Sequence, residues 1–368
     1  MILVLYVVSL VFYWWNQTTN FQYSLKSGKK LKYFSFVHRM WNKNDNLRTM
    51  KRVFDRLGHE KVNGIDDDWD VLWSIEHPKT FFPKKLSSLE PHQRVNHFPG
   101  IDYITDKKWM ATKNRFDFIP KAFSFPQMKE EFEEYLNENP ESKFVVKDFD
   151  NRGVKIVSID EINFINSNET FYQKFVENPM LIDDRAFDLG VYVLITSIDP
   201  LRIYRMNEEI LMRFCPEPYH PFDPKNVDKY VIQESRKTIF EMPSLMDYVT
   251  TLEMSLKASL DVYLNSRGLH PENLWSQIDN AIVTLVIANE KWMIHESNLF
   301  APSAHFFELV RFDFIIDNDF KVHLMEVNMS PNLTPAEDDF ENYAPSFERV
   351  VYNSLKCAIG IDSDENFR

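Results

Sequence analysis

The chain has 368 residues, 44% hydrophobic and 15% aromatic, with a formal charge of −13. This composition is that of a folded protein with a large core and excludes a disordered chain, and the charge excludes a general nucleic-acid binder, which needs a basic face for phosphate. Eight glycines leave no glycine-rich phosphate loop or dinucleotide fingerprint, and two cysteines, Cys215 and Cys357, supply neither a disulfide framework nor a zinc site and point to a reducing compartment.

Residues 1–15 form an uninterrupted apolar run, MILVLYVVSLVFYWW, which predicts a short apolar N-terminal helix. The run is shorter than the ~20 residues of a spanning helix, and it lacks the basic flank and small-residue cleavage site of a signal peptide. Trp14 and Trp15 suit a membrane interface, and lysines follow the run but do not precede it, so the positive-inside rule puts the body in the cytosol. The expectation is a marginal membrane anchor. The alternative is a protein of the secretory-pathway lumen, glycosylated at Asn16-Gln17-Thr18. Residues 21–60 carry ten basic residues against three acidic ones. That segment suits an anionic membrane or an acidic polypeptide, and equally a solvated surface.

Residues 36–100 mix helical and strand signals and end in the turn Asn96-His97-Phe98-Pro99-Gly100. Residues 128–139 have the period of an amphipathic surface helix. Residues 144–146 and 155–157 read as strands around a polar loop at 148–153. An apolar strand follows at 191–197, then a hairpin pair at 201–204 and 210–214, then long helical patterns at 244–264 and 270–290. Two apolar strands around a polar turn come next, and a short helix follows Ala344. Strands and helices are grouped separately, which predicts an α+β fold. No internal repeat is present.

The final strand pair carries the densest chemistry. If Asp317 to Phe320 form its loop, Ile316 pairs with Lys321 and Asp313 lies opposite Leu324. Glu326 and Asn328 then share a face with Val322 and Leu324, and Asp313 and Glu326 are diagonal neighbours. Two carboxylates and an amide oxygen, Asp313, Glu326 and Asn328, are hard ligands suited to Mg²⁺, which in turn carries nucleotide phosphates. Asn328-Met329-Ser330 is also a glycosylation pattern, and modification there would spoil the ligand; this speaks against the lumenal alternative.

Several segments together resemble one family. They are Trp69-Asp70-Val71-Leu72-Trp73, Asn96-His97-Phe98-Pro99-Gly100, Phe118-Ile119-Pro120, the loop from Lys147 to Arg152-Gly153, Gln173-Lys174-Phe175-Val176 with Pro179, Phe187-Asp188-Leu189, Pro200-Leu201-Arg202-Ile203-Tyr204, Arg213-Phe214, and Phe312-Asp313-Phe314 with Glu326-Val327-Asn328 and Ser330-Pro331. In this order they are similar to the tubulin–tyrosine ligase-like family, over roughly residues 50–360. The resemblance implies an ATP-grasp fold. Its parts would be the apolar segment at 1–20, a basic linker and N-terminal subdomain at 21–100, a central subdomain at 101–180 and a C-terminal catalytic subdomain at 181–360. It also implies a ligase using ATP and Mg²⁺, which phosphorylates a carboxylate and lets the amino group of a free amino acid attack the acyl phosphate. The acceptor would be a Glu-rich tubulin tail or another acidic protein tail, the added residue glutamate before glycine or tyrosine, and the location the microtubule.

Residue by residue, the resemblance makes Lys147 a phosphate-binding lysine, although by itself it reads as an exposed loop lysine. Arg152 and Gly153 continue the nucleotide loop. Gln173, Lys174, Phe175 and Val176 would read adenine through backbone groups, and Lys107 would contact the nucleotide. Arg213, otherwise a strand-edge arginine, would lie near the transferred phosphoryl, and Asp188, Asp313, Glu326 and Asn328 complete the centre. Four departures stand out: Lys155 replaces a second loop glycine, Ala186 and Gly190 replace cations that flank Asp188 in the family, and Arg311 replaces a glycine. Arg311 in the expected register faces Glu326, where it either competes with Mg²⁺ or supplies a replacement cation. These departures keep open a second reading, a membrane-tethered binding module without catalysis. A third is a ligase acting on a substrate other than tubulin.

Overall fold

The computed structural model describes residues 30–38, 47–147, 154–164, 170–232, 235–302, 305–335 and 340–360. The apolar run at 1–15 lies outside them, as do residues 21–29 and 39–46 of the basic segment. Among the described residues no helix is long and apolar enough to cross a membrane.

The fold is mixed α and β, consistent with an ATP-grasp architecture, and is built on two sheets. Short apolar strands come first: β1 (Lys32–Phe36), β2 (Glu60–Lys61), β3 (Val71–Ser74) and β4 (Arg94–Asn96). They pair in parallel, with helical segments on the connections. A second, four-stranded sheet holds β5 (Ala122–Phe123), β6 (Phe144–Lys147), β7 (Lys155–Val157) and β8 (Phe171–Lys174), in the order β5-β8-β6-β7. The helix Lys129–Glu138 buries Phe132 against this sheet's Phe123 and Phe144, as its period predicts.

β9 (Leu181–Ile182) leads into the long strands β10 (Arg185–Ile198) and β11 (Leu201–Phe214). The expected hairpin within 201–214 is not found. Both halves belong to one 14-residue strand against β10, and a register shift near Val191 absorbs the polar stretch between them. β12 (Lys237–Thr238), β13 (Phe306–Ile316) and β14 (Val322–Met329) complete a ten-stranded sheet. The helical pattern at 244–264 divides into Pro243–Thr250 and Leu256–Ser266. Ser255 caps the second helix by accepting from the Ala258 N–H at 3.2 Å, and that stops the first from running through. The last helix, Phe340–Ile359, starts earlier and runs longer than expected, with Pro345 inside its first turns.

β13 organises the sheet. One edge pairs with β10; the other pairs first with the parallel β4 at Phe306 and Phe307, then with the antiparallel β14 from Val310 onward. The C-terminal ends of β4 and β14 therefore meet at the middle of β13. His97 and Ser330, the residues just beyond them, both adopt left-handed backbone angles, with φ of 74° and 51°. His97 joins the two ends: Nδ1 lies 2.7 Å from buried Glu308, and Nε2 lies 2.9 Å from both the Ser74 carbonyl and Ser330 Oγ.

Candidate active site

The expected β13–β14 register is wrong by two separate steps. Asp317 Oδ1 accepts from the N–H groups of Asp319 and Lys321 at 3.0 and 2.9 Å, which keeps Lys321 inside the turn. Ile316 then pairs with Val322 rather than Lys321. A bulge follows, so that Phe314 faces Leu324 but Asp313 faces Glu326 directly, and Arg311 faces Asn328. The extra residue, Met325, re-aims the strand: Val322 and Leu324 pair with core residues, whereas Glu326 and Asn328 turn to the opposite face. The sequence carried a signal for this, because apolar residues alternate through Val322 and Leu324 and then skip to Val327.

Across the sheet, Asp188 pairs with Arg213, Gly190 with Asp313 and Tyr192 with Arg311, so acids and cations from four strands share one face. Asp313 sits at the centre, 2% exposed. Arg311 donates from Nε to Oδ1 at 2.6 Å and from Nη2 to Oδ2 at 2.8 Å. Arg213 Nη2 and Asn328 Nδ2 reach Oδ2 at 2.8 and 2.9 Å. Arg213 also forks onto Asp188, with Nε 2.9 Å from Oδ1. Burial, and then the nearby Asp313 charge, hold the Asp188 carboxyl above its ordinary range, and Arg213 opposes both. Arg311 thus pairs with Asp313 and not with Glu326, which corrects the expected pairing.

Glu326 faces the other sheet. Its Oε2 lies 3.0 Å from Nζ of Lys107, the first residue of the helix Lys107–Lys113, and its Oε1 accepts from Asn328 Nδ2 at 3.1 Å. Burial tends to raise the Glu326 carboxyl, but Lys107 and Lys147 outweigh it and hold the pKa at about 2. Lys147, at the end of β6, donates to Gln173 Oε1 at 2.7 Å. It is not the exposed loop lysine it resembles in isolation: burial draws its ammonium down to about 8, Lys107 adds to this and Glu326 opposes it.

Gln173 is fully buried and its Nε2 donates to the Pro120 carbonyl. The N–H groups of Lys174 and Phe175 are committed to the carbonyls of Lys121 and Lys143, at 2.7 and 2.8 Å. Val176 follows outside any strand. Ala186, at the position of a lost cation, packs with Val145, Phe175, Cys215 and Tyr219 in an apolar patch beside this segment. Arg152 and Gly153 lie outside the described residues, and Lys155 is exposed at the start of β7.

Two participants escaped the sequence reading. Arg236 stands two residues from Thr238, which pairs with Arg213, so it lies on the same face. The residue is exposed and makes no ion pair among the described residues, yet the protein crowds its guanidinium on one side; that partial desolvation and then Arg213 lower its pKa. No local pattern marks it, because β12 is two residues long. His97 is the other; it carries the turn after Asn328 through Ser330.

Of the three expected metal ligands, Asp313 has its oxygens filled by donors from Arg311, Arg213 and Asn328. Glu326 and Asn328 fit: Asn328 donates through Nδ2 to Asp313 and Glu326, which leaves its Oδ1 without a hydrogen bond among the described residues.

Five cations, Lys107, Lys147, Arg213, Arg236 and Arg311, thus gather around three carboxylates, Asp188, Asp313 and Glu326, in a chain whose net charge is −13. A locally positive, partly buried face of this kind binds polyanions.

The chain matches the model of the tubulin-tyrosine ligase family over residues 85–366. It is 38% identical to a probable tubulin polyglutamylase of Caenorhabditis elegans over 310 residues, 83% of this chain and 60% of the relative. A tubulin polyglutamylase of Xenopus tropicalis is 25% identical, covering 77% of this chain and 33% of its own length. A tubulin monoglutamylase of Mus musculus is 28% identical, covering 75% and 24%. The chain therefore spans 60% or less of the length of these relatives. The match takes in most of the chain, including every strand that builds the charged face, and on that ground the chain belongs to the tubulin-tyrosine ligase family.

Proposed function

We propose that this protein is an ATP-dependent ligase that adds glutamate to the acidic tails of tubulin at the microtubule. The observation that carries the reading is the cluster of five cations around Asp188, Asp313 and Glu326, in a chain that is otherwise acidic. ATP, a glutamate and a glutamate-rich tail are all anionic, and bringing them together requires such a site. The reported relatives are named as tubulin glutamylases, which supports this substrate class.

In this reading the acceptor carboxylate is activated as an acyl phosphate, which the amino group of glutamate attacks. Lys147 and Lys107 hold phosphate charge, and Gln173 to Val176 line the base. Arg213 and Arg311 stabilise charge on the transferred phosphoryl, and Arg236, which has no competing ion pair among the described residues, takes a substrate carboxylate. Glu326 and Asn328 would hold Mg²⁺, which supplies further neutralisation of the phosphates. Asp188 orients Arg213. The binding-module reading drew on Lys155 and Arg311 and on the lost cations at 186 and 190. Arg311 over Gly190 returns one of them, and the reported relatives give that reading no support.

The test is mass spectrometry of tubulin tails incubated with the full chain, Mg-ATP and a mixture of amino acids. A mass increment lost in Glu326→Gln is expected, and its size names the amino acid. No increment, with a glutamylase of this family active in parallel, refutes the reading.

A further inference from the structure

Arg311 occupies space that only a residue without a side chain at 190 leaves open. A Cβ on Gly190 would stand 2.7 Å from Arg311 Cδ, 3.0 Å from its Nε and 3.2 Å from Asp313 Oδ1. Gly190 lies inside β10 with no left-handed backbone angle, so the position uses the missing side chain and not glycine's freedom. The guanidinium that fills the gap is 5% exposed and grips both oxygens of Asp313. With Arg213 and Asn328, four donors meet a carboxylate that has about four acceptor sites.

Glu326 differs in a way that matters for metals. Its two partners are a lysine, 22% exposed and able to swing away, and an amide that can rotate. Asp313 is held by a buried planar fork that cannot leave without stranding its own charge.

We propose that Arg311, seated over Gly190, is the resident cation of Asp313, and that a divalent ion arriving with a nucleotide is held by Glu326 and Asn328 without Asp313. This rests on the ligase reading above. Arg311 thus does for Asp313 what a metal ion would otherwise do, and Gly190 is the residue that makes room for it.

The probe is Mn²⁺ with a non-hydrolysable ATP analogue, added to the full chain, with free Mn²⁺ read by electron paramagnetic resonance. One Mn²⁺ per bound nucleotide is expected. Glu326→Gln should weaken Mn²⁺ about tenfold or more. Arg311→Met, which frees Asp313, should tighten Mn²⁺ about tenfold or admit a second ion. Gly190→Ala, which pushes Arg311 off its seat, should move Mn²⁺ binding in the same direction. A cooperative thermal transition checks that each variant is folded, and two variants acting at different residues guard against one failing to fold. The inference is overturned if the folded Arg311→Met and Gly190→Ala proteins bind Mn²⁺ as the unaltered chain does. It is also overturned if Asp313→Asn loses as much Mn²⁺ affinity as Glu326→Gln. Two ions with normal nucleotide binding overturn this inference alone, whereas absence of nucleotide binding overturns the ligase reading with it.

Discussion

Arg213→Met isolates the energetics of the charged face. Arg213 donates to Asp188 through Nε and Nη2 and reaches Asp313 through Nη2. The three side chains are 18%, 13% and 2% exposed. Methionine keeps the length and the packing of the stem but removes every one of these bonds. Asp313 retains Arg311 and Asn328, while Asp188 retains no other side-chain partner among the described residues. Stranding a buried charge in this way costs about 3–5 kcal/mol.

Proton uptake limits that cost. Asp188 is already held above the ordinary carboxylate range by burial and by Asp313, and losing Arg213 raises it further. A carboxyl raised in the folded state costs stability in full above its folded pKa, and the cost shrinks as pH falls through that value toward the unfolded one. The deficit of Arg213→Met should therefore be smaller at pH 5.5 than at pH 8. Urea denaturation at both pH values measures it. Combining Asp188→Asn with Arg213→Met should recover about 2 kcal/mol relative to the sum of the single changes. A deficit below about 1 kcal/mol at pH 8, or one that grows as pH falls, refutes the buried-pair argument.

Other consequences follow from the same geometry. The Lys147 ammonium, drawn down to about 8 by burial and Lys107, is lost as pH rises through that value. Affinity for an ATP analogue should thus fall between about pH 7 and 9.5, while Lys147→Arg stays flat because arginine remains charged; a flat profile in the unaltered chain counts against Lys147 as a phosphate ligand. His97→Ala removes the buried partner of Glu308 and the tie to Ser330, so stability should fall by about 3–5 kcal/mol in a denaturant melt, with His97→Gln recovering part of it. Arg236→Ala should raise KM for glutamate or for the acceptor tail about tenfold and leave the melting temperature unchanged; an unchanged KM for both removes Arg236 from the substrate site. Ala186→Lys places a cation in an apolar patch, 7% exposed, between Val145 and Phe175, so it should destabilise the chain rather than restore function, as a lower melting temperature would show.

Much of this protein was legible in its sequence because the relevant signals are local. The apolar strands around Asp317, the Lys129–Glu138 helix, the β6–β7 pair and the set Asp313, Glu326 and Asn328 follow from period and residue type, whereas Asp188 and Arg213 were marked by the family resemblance. What failed were the distances between elements. The turn lengthened by one residue because the Asp317 side chain captured the Lys321 N–H, and a bulge at Met325 then set Glu326 directly opposite Asp313 rather than diagonal to it. Each is a one-residue shift, and a one-residue shift exchanges the two faces of a strand. Arg236 and His97 were invisible as site residues because their neighbours come from strands more than twenty residues away in sequence. The relation of Gly190 to Arg311 belongs to the same class. The resemblance marked them as two departures and left open whether Arg311 competes with an ion or replaces a cation; only the packing of β10 against β13 shows that a missing side chain on one strand makes room for a guanidinium from the next.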